Sequence, residues 1–185
     1  MINFYNCNDY QYIKLLDFFL TRCNIVAFCL PNFETKFPIK NSSNCIDEYK
    51  LILNSLDRNS AIFNDYKKEV KPFLDVLKEE TLKIYQKIQY FDQTSNYEKE
   101  IYILNYNKNS CEIFKSVKSF DNWHYPKLPE DLYFFSGKKC YFSFISHESE
   151  YGIYDNSEET IKFIDEIGLD FDVDSYDTPP ELIIE

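Results

Sequence analysis

Hydrophobic and polar positions follow two periods along this chain. From Ile13 through Leu16, Phe19 and Leu20 the apolar residues recur every three or four positions, which predicts a helix capped by Asn8 or Asp9 and ending near Arg22. Ile25 to Leu30 is continuously apolar and short, the pattern of a strand buried on both faces, and Pro31 closes it. Pro31 to Cys45 reads as loop. Ser43 or Asn44 is placed to cap a second helix through Ile46, Tyr49, Leu53 and Leu56, broken by Asp57 to Ser60. A further stripe, Phe63, Tyr66, Val70, Phe73, Leu77, Thr81, Ile84 and Ile88, keeps the helical period for about seven turns. Pro72 is expected to kink it or to open a fresh helix.

After Asn96 the period falls towards 2. Glu100 to Tyr106 and Cys111 to Val117 read as a hairpin across Asn107-Lys108-Asn109-Ser110, and Leu132 to Phe135 with Lys139 to Ile145 as a second across Ser136-Gly137. Tyr151 to Tyr154 adds a short strand. In the last helix Asn156 or Ser157 is the cap, Glu158 and Glu159 occupy the first turn where the helix dipole favours anions, Ile161, Ile164 and Ile167 form one face, and Gly168 ends it. Leu169, Phe171 and Val173 then alternate with Asp170, Asp172 and Asp174 as a strand with one wet face. The tail from Ser175, with Pro179-Pro180, is expected to be irregular and mobile. The expected fold is a single α+β domain over residues 1–185. Its helices lie mainly in the first half, with a mostly antiparallel sheet in the second half and a C-terminal helix packed on it. The nearest thing to a subdomain boundary falls near residue 95.

Composition supports a packed core. Of 185 residues 44% are hydrophobic, including 17 Phe and 16 Tyr, too many for a disordered chain, and this length buries about 70% of its surface on folding. Lys outnumbers Arg 18 to 2, with 19 Ile, 16 Asn and two Ala, the usage of an AT-rich genome. Phe and Tyr rise with the same codons, so their abundance does not argue for a base-stacking surface. The start carries no basic stretch followed by an apolar run, and the longest apolar stretch, Ile25 to Leu30, is far short of the roughly 20 residues that span a bilayer. A cytoplasmic location without membrane contact is expected. Cys7, Cys23, Cys29, Cys45, Cys111 and Cys140 are dispersed without a C-x-x-C pair and are expected to be free thiols.

Charge changes the picture more. Residues 1–145 carry a net charge of +1, whereas residues 146–185 hold one Lys and 13 carboxylates, net −12. Such a segment repels nucleic acid and anionic lipid and attracts a basic protein.

Candidate chemistry is sparse. In Ser146-His147-Glu148-Ser149-Glu150, His147 with Glu148 or Glu150 supplies a general base and its orienting carboxylate, but no nucleophile is marked beside them. A small-substrate enzyme with His147, Glu148 and His124 in one cleft at the sheet end is the alternative reading; the more ordinary one is a strand-end histidine bonded to backbone or carboxylate. Around His124, the run Asp121-Asn122-Trp123-His124-Tyr125-Pro126 is either a loop packed over the sheet edge or an exposed anchor. No metal site is expected. His124 and His147 lack ligand spacing, and although Asp170, Asp172, Asp174 and Glu181 fall at positions 1, 3, 5 and 12 of a calcium-loop template, Ser175 stands where the turn glycine belongs. Gly137, Gly152 and Gly168 belong to no phosphate-binding motif, no G-x-S-x-G elbow occurs, and no cofactor is expected.

The function that follows is a non-catalytic, acidic protein-interaction domain whose partner is a basic protein. Its candidate contacts are Trp123, Tyr125, Glu148, Glu150, Asp170, Asp172 and Asp174. In size, acidity and architecture the chain resembles the small immunity proteins that neutralise toxins in bacteria by masking a basic cleft, a likeness of character that no motif carries. A carboxylate-rich mimic of nucleic acid is a variant of the same idea.

Overall fold

The computed structural model of the chain describes residues 1–31, 60–90, 93–124, 126–146, 148–174 and 178–182. In chain order the elements are β1 (Ile2–Phe4), α1 (Asp9–Arg22), β2 (Ile25–Pro31), α2 (Ser60–Val76), β3 (Thr81–Tyr90), β4 (Gln93–Asn105), α3 (Lys108–Lys115), β5 (Glu130–Ser136), β6 (Lys139–Ile145), β7 (Glu150–Ile153), α4 (Glu158–Glu166) and β8 (Phe171–Val173). Single turns of 3-10 helix stand at Lys78–Glu80 and Phe120–Asn122. The strands form one antiparallel sheet in the order β3-β4-β2-β5-β6-β7-β1-β8. The fold class is α+β, as the periodicity predicts. Among the described residues no helix is long and apolar enough to cross a membrane.

Helices α1 and α4 are held at their ends by residues visible in the sequence. Asn8 and Gln11 cap α1 reciprocally, each backbone N–H donating to the other's side-chain oxygen at 3.0 Å. The Gln11 amide then donates to the carbonyls of Ile167 and Gly168, tying α1 to the end of α4. Ser157 caps α4, and Gly168 follows it at φ +70°, the left-handed conformation that glycine takes without steric cost.

One face of the sheet and the helices enclose the main core. Leu15, Leu16 and Phe19 from α1, Phe114 from α3 and Ile164 from α4 pack with Val26, Phe28, Phe134, Phe142 and Ile153 from the strands. Rings contact rings throughout, Phe19 against Phe142 at 4.6 Å and Phe114 against Trp123 at 4.8 Å between centroids.

Two expectations are corrected. Thr81 to Ile88 does not continue the helix: α2 ends at Val76 and Thr81–Tyr90 is the edge strand β3. Residues four apart share a face in a strand as well as in a helix, so Ile84 and Ile88 fit both periods. Cys111 to Val117 is not the return arm of a hairpin. Asn107 accepts from the N–H groups of Asn109 and Ser110 and begins α3, whose Cys111 and Phe114 are buried; the polar run that resembles a turn is a helix cap. Pro72 lies inside α2 and Pro31 is the last residue of β2. The strand β1 has only three residues and went unforeseen. The helix expected over Ile46 to Leu56 lies outside the described residues.

Candidate functional site

The register places one row of residues straight across the second face of the sheet, the face turned away from the main core. Lys83, Ile103, Ala27, Tyr133, Ser143, Gly152, Asn3 and Asp172 are successive cross-strand partners from β3 to β8. The middle of this row is closed. Ala27, Ile103 and Tyr133 are buried with Cys29, Ile101, Phe135, Cys140 and Leu182. Leu182 is brought there by the C-terminal segment, which docks on β6: Cys140 N–H donates to the Pro180 carbonyl at 2.9 Å and Leu182 N–H to that of Lys138 at 2.7 Å.

Towards β7 and β1 the row opens into a groove of about 650 Å³ lined by both polar and apolar groups. Its floor is Ser143, Gly152 and Asn3. Ile145, Tyr154, Thr178 and Met1 wall it, and Glu148, Ser149, Glu150 and Tyr5 stand at the rim. A Cβ at Gly152 would lie 2.9 Å from Met1 Sδ, part of a side chain that can move, and 3.5 Å from Ser143 Oγ. The Ser143 and Tyr154 hydroxyls are 3.3 Å apart across the floor. Tyr5 is 62% exposed and its hydroxyl donates to Asp172 Oδ2 at 3.3 Å. Among the described residues neither Lys nor Arg lines it, and the Met1 amino group is turned to the Asp174 carbonyl.

The acidic residues of the last fifth do not act as one block. Asp155 is turned inward, accepting from Ser157 N–H, Ser157 Oγ and Tyr141 OH at 3.0–3.1 Å and from Thr160 Oγ1 at 2.6 Å. Burial pushes its pKa up, but these hydrogen bonds outweigh burial and hold the carboxyl below its ordinary value. Glu159 pairs with Arg22, and Glu166 lies 3.7 Å from Lys162 on α4. Glu148 and Glu150 line the groove, and Asp172 adjoins its floor as the partner of Asn3. Asp170 and Asp174 flank β8 and are exposed. Asp172 sits in extended backbone, and among the described residues no group of three or more His, Cys, Asp or Glu is placed to hold a metal ion.

Trp123 is no surface anchor. It is fully buried, with Nε1 donating to the Tyr12 hydroxyl at 3.0 Å while that hydroxyl donates to the Phe114 carbonyl at 2.8 Å. Tyr125 and His147 lie outside the described residues. His124 is exposed just after Trp123 and is not among the groove's lining residues. Tyr5 and Asn3 escaped the sequence reading because β1 alternates over too few residues to register as a strand. Five cysteines, Cys7, Cys23, Cys29, Cys111 and Cys140, are buried, and burial raises the Cys7 thiol to about 12, away from nucleophile chemistry. Cys45 lies outside the described residues.

No family model, curated protein or solved structure matches this chain.

Proposed function

We propose that this chain is a non-catalytic, acidic protein-interaction domain that receives a basic segment of a partner protein in the groove at the β7-β1-β8 end. The observation that carries the reading is an exposed aromatic ring, Tyr5, bonded to Asp172 and lining with Glu148 and Glu150 a cavity to which, among the described residues, no Lys or Arg contributes. An arginine or lysine side chain gains there what it lacks in water: carboxylates to pair with, a ring face for its cation and an apolar wall at Ile145 for its methylenes. The net −12 of residues 146–185 adds long-range attraction, which raises the encounter rate with a basic partner more than it deepens affinity. A toxin with a basic cleft is a partner of this chemistry, in keeping with the immunity-protein likeness.

The test is fluorescence anisotropy with labelled octa-arginine, at about 50 mM and about 300 mM salt to vary screening. Glu148→Gln with Glu150→Gln should weaken binding by roughly tenfold. The matched control, Glu158→Gln with Asp165→Asn on α4, removes the same formal charge and should leave affinity within about twofold. Equal losses from the two pairs would mean that net charge alone binds the peptide, and the groove reading would fall.

A further inference from the structure

Behind the groove's rim lies a charged assembly buried in the sheet. Lys99 on β4 and Asp131 on β5 form an ion pair, Nζ to Oδ2 at 3.1 Å, with side chains only 3% and 0% exposed. The Cys29 thiol, also fully buried, lies 3.6 Å from the same oxygen. The other carboxylate oxygen, Oδ1, accepts the Ser146 N–H at 3.0 Å, and Asp131 N–H donates back to Ser146 Oγ at 2.8 Å. Ser146 follows directly on β6 and leads into the turn that carries Glu148 and Ser149 to Glu150, the first residue of β7. Glu148 N–H donates to the Ile145 carbonyl at 3.2 Å.

The backbone is strained at both ends of this assembly. Among the described residues three non-glycine residues have left-handed φ, namely Lys118, Asp131 at +53° and Ser149 at +52°. Two of the three therefore belong to the rim and its anchor. Residues held in that region persist where the surroundings over-determine them, and such strain gathers at functional sites. A buried ion pair adds little net stability against apolar side chains of the same size, but its geometry is specific.

We infer that Asp131 is a positioning residue: fixed by Lys99, it pins Ser146 through the reciprocal pair of bonds made by its carboxylate and its backbone N–H, both of which are needed, and so holds the turn at Glu148 and Ser149 in the shape that presents Glu148 and Glu150 to the groove. This inference rests on the groove reading for its consequence, but the hold on the loop is measurable without any ligand. Ser146→Ala removes the hydroxyl that accepts from Asp131 while leaving the Lys99–Asp131 pair in place, and Ser146→Thr keeps the hydroxyl.

The measurement is amide hydrogen exchange in the full chain, with octa-arginine anisotropy on the same samples. For Ser146→Ala, exchange over residues 146–150 should rise roughly tenfold while the β6 amides of Phe142 and Phe144 keep their protection, octa-arginine affinity should fall several-fold, and Ser146→Thr should restore both. Unchanged exchange over 146–150 overturns the inference, as does a loosened loop that binds octa-arginine as tightly as before. If the loop loosens but the parent protein never bound octa-arginine, the hold by Asp131 stands and the groove reading fails.

Discussion

The two faces of the sheet are made by the same strands, yet they solve opposite problems. On the helix-covered face the side chains are apolar and the polar groups are satisfied inside the core: the hydroxyl of Tyr12 reaches the Phe114 carbonyl and that of Tyr106 the Leu16 carbonyl, both at 2.8 Å. The second face has a smaller apolar cluster, with the rings of Tyr133 and Phe135 stacked in it, and beside that cluster a buried ion pair and an open groove with hydroxyl, amide and carboxylate groups. Dispersion and hydrophobic burial set the first face, where any cavity is costly. On the second they set only the middle, and electrostatics and shape govern the groove beside it. Function belongs where the residues are not committed to packing.

The sharpest break of this contrast is Trp123→Ala. It removes the largest fully buried side chain and leaves the Tyr12 hydroxyl without its donor, so a loss of about 3–5 kcal/mol is expected in urea denaturation. Octa-arginine affinity of whatever remains folded should be unchanged. Asp131→Asn acts on the other face. Asn tolerates left-handed φ as Asp does, so the substitution isolates the charge and takes from the buried Lys99 the carboxylate of its ion pair, at a cost of about 3 kcal/mol. Adding Lys99→Met should recover much of the loss in the same denaturation assay; no recovery would mean that the ion pair is not what Asp131 contributes.

Asp155 sharpens the comparison through pH. Its carboxyl is held below the ordinary value, so the stability it contributes is fully present above the unfolded carboxylate range and is lost as pH falls through the depressed folded value. Urea midpoints compared at about pH 7 and pH 3 should fall more for the parent protein than for Asp155→Asn, which lacks the titrating group. The smallest stability effect is expected of Gly152→Ala. The new Cβ meets Met1 Sδ, the movable part of a flexible side chain, so the cost is about 1 kcal/mol or less, while the groove floor rises and octa-arginine binding weakens.

Long periodic segments with their own caps were legible without coordinates. The helix over Asp9–Arg22 follows from Asn8 and its apolar stripe, the Ser136-Gly137 hairpin from its turn residues, and the helix before Gly168 from Ser157 and its glutamates. Where a segment is short or its spacing fits two periods, local pattern failed: β1 was missed, β3 was read as helix and α3 as strand. The candidate site divides in the same way. Glu148, Glu150 and the alternating acids stand out in the chain because charge is a property of single residues. Tyr5, Gly152, Asn3 and the Lys99–Asp131 pair do not, because each matters through a partner far along the sequence, Asp131 and Lys99 being 32 residues apart and Tyr5 and Asp172 being 167.

Amino-acid order was thus enough to settle the α+β class, the capped helices, the turn residues and the acidity of the closing segment, since all of these depend on neighbours within a few positions. Strand order, the choice of which face is covered, the burial of Trp123 and the meeting of β1, β6 and β7 around a groove were settled by packing. They depend on which distant segments exclude water together, and that is a property of the assembled sheet.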